Sequence, residues 1–72
     1  MYRTIEFAVD FTMDLEVCPL RPHEVLLVRR GTRRKARIRP PVLEAPGDVA
    51  DLFFDDGSAA RMVSRACFCV VE

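Results

Sequence analysis

Residues 5–17 read IEFAVDFTMDLEV. Ile5, Phe7, Val9, Phe11, Met13, Leu15 and Val17 hold every odd position, and Glu6, Ala8, Asp10, Thr12, Asp14 and Glu16 hold the even ones. A period of two sends successive side chains to opposite faces of an extended strand. The segment therefore predicts a β-strand with a buried odd face and an acidic, solvated even face. It is longer than the usual strand of about five or six residues, so a bulge or bend is expected near residues 10–14.

The rest of the chain reads outward from that strand. Pro19 and Pro22 in CPLRPH (18–23) have no backbone donor for a ladder and mark a loop. HEVLLVRR (23–30) predicts a short strand with a buried run at 25–28, and Gly31 and Thr32 mark a turn. RRKARIR (33–39) continues as a strand, with Ala36 and Ile38 on one face and Lys35, Arg37 and Arg39 on the other. Pro40 and Pro41 end it, and PPVLEAPGD (40–48) is a loop. VADLFF (49–54) suits a central strand, and Asp56 with Gly57 signals a hairpin turn. Residues 58–66 allow two readings. Ala59, Met62, Val63 and Ala66 fit the stripe of a short helix capped by Ser58, but the Asp-Gly turn favours a return strand. CFCVVE (67–72) closes the chain as a strand, with Phe68 and Val70 on one face and Cys67, Cys69 and Val71 on the other.

The expected fold is all-β: a small SH3-like barrel or related five- to six-stranded antiparallel sheet, with a short helix near 58–66 as the variant. Its 72 residues predict one small domain, residues 1–72, close to the lower size for unaided folding. Half of the side chains are apolar, ample for a core. Three cysteines are an odd number for a disulfide scaffold, and MYRTIEFAVD lacks the basic flank and apolar block of a secretory signal. Both favour a cytoplasmic protein. No stretch approaches the roughly 20 apolar residues of a membrane span, so no membrane partner is expected.

Eleven basic side chains balance eleven acidic ones, yet the charge is polarised along the chain. Residues 1–17 carry Glu6, Asp10, Asp14 and Glu16 against Arg3. Residues 21–39 carry Arg21, Arg29, Arg30, Arg33, Arg34, Lys35, Arg37 and Arg39 against Glu24. Residues 40–72 turn acidic again.

The run EVLLVRRGTRRKARIRPPV (24–42), followed by VADLFFDDGSAARMV (49–63), resembles the SH3-like barrels of the Tudor and KOW type. Those modules order their elements as strand, turn, an Arg-Ala-x-Val/Ile strand, loop, and a strand ending in Asp-Gly. Ala36, Arg37 and Ile38, and Phe54 to Gly57, hold the comparable places. The resemblance spans about residues 24–71, leaves the first strand aside, and implies a fold rather than a function. The Tudor aromatic cage for methylated side chains has no counterpart, because there is no Trp and the sole Tyr is Tyr2.

The sharpest functional candidate is VRRGTRRKARIR (28–39), read as an arginine hairpin. Arg29, Arg30, Arg33, Arg34, Lys35 and Arg37 place six cations within nine residues, and guanidinium groups suit phosphate oxygens. A two-stranded basic ribbon fits a nucleic-acid backbone. No aromatic interleaves 29–39, so the expected mode is backbone contact with duplex or structured RNA rather than base stacking. The bland reading is a solvated face, or internal pairing with Glu6, Asp10, Asp14 and Glu16.

Cys18, His23, Cys67 and Cys69 have zinc-ligand chemistry but no paired-cysteine knuckle, so no metal or other cofactor is expected. His23 beside Glu24 in a loop, and Asp55 and Asp56 before Gly57, fit loop and turn chemistry better than catalysis. No small-molecule substrate is evident. The sequence thus points to a non-enzymatic binding module that contacts RNA or DNA. Its alternative is protein interaction or self-association by strand addition at the alternating segment 4–16. The choice turns on how residues 5–17 register against 29–39.

Overall fold

The alternating segment forms two strands separated by a bend. A computed structural model of the chain describes residues 1–16, 24–41 and 47–71. The loop at 18–23, with Cys18 and His23, and most of the loop at 40–48 lie outside the described residues. The described residues form seven strands: β1 (Arg3–Phe7), β2 (Phe11–Glu16), β3 (Glu24–Val28), β4 (Arg33–Arg39), β5 (Val49–Phe54), β6 (Ala59–Ser64) and β7 (Phe68–Val70). A short 3-10 turn, Arg65–Cys67, precedes β7, with the Ser64 hydroxyl accepting the Ala66 N–H. The stretch at 58–66 is therefore largely strand. No α-helix occurs among the described residues, and none of their helices is long and apolar enough to cross a membrane.

All seven strands are antiparallel in one open sheet of order β3-β2-β6-β5-β4-β1-β7. The expected all-β architecture holds, but the barrel is not closed, and β3 and β7 are its edges. The sheet must still curl. β1 and β2 are joined only by residues 8–10, yet β6, β5 and β4 lie between them. Phe7 and Phe11 are at most about 14 Å apart along the chain, whereas four strand spacings in a flat sheet span about 19 Å. Curling brings the Phe7 and Phe11 rings to 5.5 Å and encloses a core of Ile5, Phe7, Met13, Leu15, Val28, Ala36, Ala50, Leu52, Phe54, Ala60, Val63 and Phe68.

The odd face of the first segment is buried as expected at Ile5, Phe7, Met13 and Leu15. Phe11 is half-buried, Val17 lies outside the described residues, and Val9 lies exposed in the bend, which falls at 8–10 rather than 10–14. There the backbone finds partners outside the ladder. The Phe7 N–H donates to the Thr32 carbonyl, the Ala8 N–H to Cys67 and the Gly31 N–H to Phe7. The Asp10 carboxylate accepts the Arg30 N–H at 2.5 Å.

The basic stretch does not form a hairpin. β3 pairs with β2, and β4 pairs with β1, without any residue gained or lost across the bend: Phe11 faces Val28 and Glu6 faces Arg33. Residues 1–16 and 24–39 thus make one long bent ribbon. Gly31, at φ +89°, takes the left-handed conformation that the sharp corner between β3 and β4 requires.

The expected buried run at 25–28 is overturned. Only Val28 is buried, while Val25, Leu26 and Leu27 are exposed because β3 is a sheet edge. β5 is central as expected, between β4 and β6. Its hairpin to β6 turns at 55–58, with the Phe54 N–H bonded to the Ser58 carbonyl at 2.8 Å and Gly57 at φ +91°.

Candidate nucleic-acid interface

β4 alternates along its length. Ala36 is buried and Ile38 half-buried on the core side, while Arg33, Lys35, Arg37 and Arg39 are exposed on the outer side. The predicted division of this strand is confirmed, and it splits the arginine cluster by parity.

Arg34 lies on the core side, at its rim. Its guanidinium sits 4.2 Å from the centroid of the Phe54 ring and donates to Asp56 at 3.1 Å. Asp56 in turn accepts the Ser58 hydroxyl at 2.5 Å and the Ser58 N–H at 2.9 Å, fixing the hairpin. Those two Ser58 bonds, with help from Arg34, hold the Asp56 carboxyl below its ordinary range. Arg34 is thus a structural clasp over the core.

The outer side takes its counter-charges from the ribbon register. Glu6 faces Arg33 and pairs with it at 2.9 Å. Thr4 faces Lys35. The same register continued one residue beyond β1 brings Tyr2 to Arg37, whose guanidinium lies 4.7 Å from the ring centroid. The other acids of the first segment go elsewhere. Asp10 holds the Arg30 backbone, Asp14 faces Val25, and Glu16 meets Arg61 at 3.4 Å. Lys35, Arg37 and Arg39 make no ion pair with any described residue. Arg29 and Arg30 are exposed at the corner between β3 and β4, at one end of this face.

β5 completes the surface. Phe53 faces Arg37 across the β4–β5 ladder, and the Arg61 guanidinium lies 4.8 Å from its ring centroid. Arg61 is positioned by a β-bulge. Ala50 pairs with Val63 and Leu52 with Ala60, so Arg61 and Met62 together oppose Asp51. Met62 adopts φ +56°, a conformation that costs a non-glycine residue energy. The Asp51 carboxylate, 1% exposed, offsets that cost by accepting the Met62 N–H at 2.9 Å and Arg61 Nη1 at 3.1 Å. Its hydrogen bond raises the Arg61 pKa.

Of the six predicted contact residues, the structure leaves Lys35 and Arg37 open on one face, adds Arg39 beside them, sets Arg29 and Arg30 at its end, pairs Arg33, and assigns Arg34 to the core rim. Tyr2 and Phe53 were missing from the linear reading, because the aromatics that flank Arg37 come from neighbouring strands. The only sequence signal for Phe53 was parity, its position beside the inward Leu52 and Phe54. Cys69 is exposed on the β7 edge and Cys67 half-buried. No group of three or more metal-ligating side chains able to hold an ion occurs among the described residues. No protein-family model, no curated protein and no solved structure matches this chain.

Proposed function

We propose that this protein is a non-enzymatic nucleic-acid-binding module whose contact surface is the outer face of β1, β4 and β5. The observation that carries this reading is the ribbon register. It supplies one acid, Glu6, to a strand that presents Arg33, Lys35, Arg37 and Arg39 outward. Three cations on one strand, spaced two residues apart, match a phosphate backbone better than a solvated face that has been neutralised from within. The zero net charge of the chain is compatible with this reading because Asp56, Asp51 and Asp10 are engaged at the opposite rim, the bulge and the bend rather than with Lys35, Arg37 or Arg39. The exposed free thiol of Cys69 suits a reducing, cytoplasmic setting.

The test is a binding isotherm over a salt series, with RNA and DNA oligonucleotides. Wild type is expected to lose affinity steeply with salt, by roughly 0.7–0.9 in log–log slope per phosphate contacted. Lys35→Glu combined with Arg39→Glu is expected to flatten that slope by about two contacts. Equal retention by wild type and this variant at every salt concentration would remove the proposal.

A second reading is self-association. The alternating segment 4–16 has both of its edges engaged, β1 by β4 and β7, and β2 by β3 and by β6 at Leu15 and Glu16. Of the two edge strands among the described residues, β3 and β7, β3 carries the larger apolar exposure, with Val25 66% and Leu27 55% exposed. Strand addition between two β3 edges would cover them. It predicts a dimer in sedimentation at micromolar concentration that Leu27→Lys converts to monomer, and a wild-type monomer argues against it.

A further inference from the structure

We infer that this face is built for an unpaired nucleic-acid strand, whose bases stack on Tyr2 and Phe53 while Lys35, Arg37 and Arg39 meet its phosphates. The inference rests on the nucleic-acid reading above and specifies the form of the ligand. It reverses the duplex expectation drawn from the linear sequence, where residues 29–39 contain no aromatic.

Three observations carry it. First, Tyr2, Arg37 and Phe53 form one row across three neighbouring strands, with a cation between two rings. At about 4.8 Å per strand, the two rings stand roughly 10 Å apart. Aromatic rings interleaved with cations form the recurring platform for single strands, because every base has a π-face and every linkage a charge. A duplex keeps its bases stacked inside and offers such rings nothing to touch.

Second, the row opens into a shallow depression of about 370 Å³ bounded by Tyr2, Arg37, Arg39 and Phe53, with Gly57 and Ser58 at one side. The neighbours of Phe53 toward β6 are small. Ala59 faces it directly, and Gly57 has open space where a side chain would stand. Ala59 is itself buried, so the room for a planar base lies on the Gly57 side of the depression.

Third, neither ring belongs to the core cluster, although Phe53 is half-buried. Tyr2 lies outside the β1 ladder and is 39% exposed, and Phe53 faces away from the core formed by Leu52 and Phe54. Each ring lies beneath one guanidinium, Arg37 over Tyr2 and Arg61 over Phe53.

The chain itself supplies the probe. Tyr2 is the sole tyrosine and there is no tryptophan, so ultraviolet emission reports this one ring. Titration of the intact protein with oligo(dT), oligo(U) and a duplex of the same length, at low salt, is expected to quench Tyr2 saturably with the two single strands and not with the duplex. Single-strand affinity is expected to exceed duplex affinity. Tyr2→Leu and Phe53→Leu are each expected to weaken single-strand binding by about tenfold, with duplex binding unchanged. Tyr2→Leu lies outside the sheet ladder, so it tests the inference even if Phe53→Leu loosens the fold. Salt-sensitive binding with no quenching and no preference between forms overturns the inference and leaves the nucleic-acid reading standing. No binding of any oligonucleotide at low salt overturns both.

Discussion

Arg34 and Arg37 stand three residues apart on one strand, and each lies over an aromatic ring. The guanidinium of Arg34 is closed off by Asp56, and its ring, Phe54, is 1% exposed. The guanidinium of Arg37 meets no carboxylate among the described residues, and its ring, Tyr2, is open to solvent. The same pair of side-chain types is a structural clasp in one place and a candidate contact surface in the other. What separates them is strand parity: even positions of β4 face the core and odd positions face out. A run of arginines in a β protein is therefore two populations, and substitutions should be read one face at a time.

The largest expected effect breaks the clasp. Arg34→Ala uncovers the Phe54 ring and leaves Asp56 without its cation, a loss of about 1–2 kcal/mol in unfolding free energy. In a domain this small that should lower the thermal midpoint by several degrees, at about 4–8 °C per kcal/mol. The slope of nucleic-acid affinity against salt should not change. A variant as stable as wild type but poorer at binding would put Arg34 in the contact surface and dissolve the contrast.

A smaller effect sharpens the clasp by pH. Folding lowers the Asp56 pKa from its ordinary 3.8, chiefly through the Ser58 hydroxyl and N–H. A depressed carboxylate adds stability above the unfolded value and loses it as pH falls through the folded one. Wild type should therefore lose part of its stability as pH drops below about 4, and Asp56→Asn should lose less over the same window. The variant should also be somewhat less stable near neutrality, since the turn loses an acceptor of full charge. Chemical unfolding at a series of acid pH values checks this, and parallel curves for the two proteins would contradict it.

The smallest effect on stability belongs to the open side. Arg37→Ala should change unfolding free energy by no more than about 0.5–1 kcal/mol, the worth of an exposed cation–π contact. It should still flatten the salt slope by about one phosphate contact. Equilibrium unfolding and binding isotherms on the same preparation separate the two quantities.

How much of this was legible in the sequence depends on the kind of pattern involved. The alternation at 5–17 and the parity of β4 were readable, because each strand buries one face and the burial writes a period of two into the chain. The Asp56–Gly57 turn was readable from its own chemistry. The exposure of Val25, Leu26 and Leu27 was not, since an apolar run in a central strand and one at a sheet edge look alike until the neighbours are known. The platform at Arg37 was also hidden: Tyr2, Arg37 and Phe53 are separated by 35 and 16 positions and meet only through the registers of two ladders. The ambiguity at 58–66 had a physical origin as well. Of the helical stripe Ala59, Met62, Val63 and Ala66, the structure buries Ala59 and Val63 and exposes Met62 and Ala66. The bulge at Arg61 and Met62 breaks the period of two that would have marked the segment as a strand.

That bulge has a reach beyond its own two residues. One inserted position shifts the phase of everything that follows it, so Val63 points inward where an unbroken alternation from Ala60 would have pointed it to solvent. The shift is held by a single carboxylate, Asp51, on the strand opposite. A side chain on β5 thereby decides which way the end of β6 faces, and a one-residue deletion at Met62 would turn the core residue Val63 toward solvent.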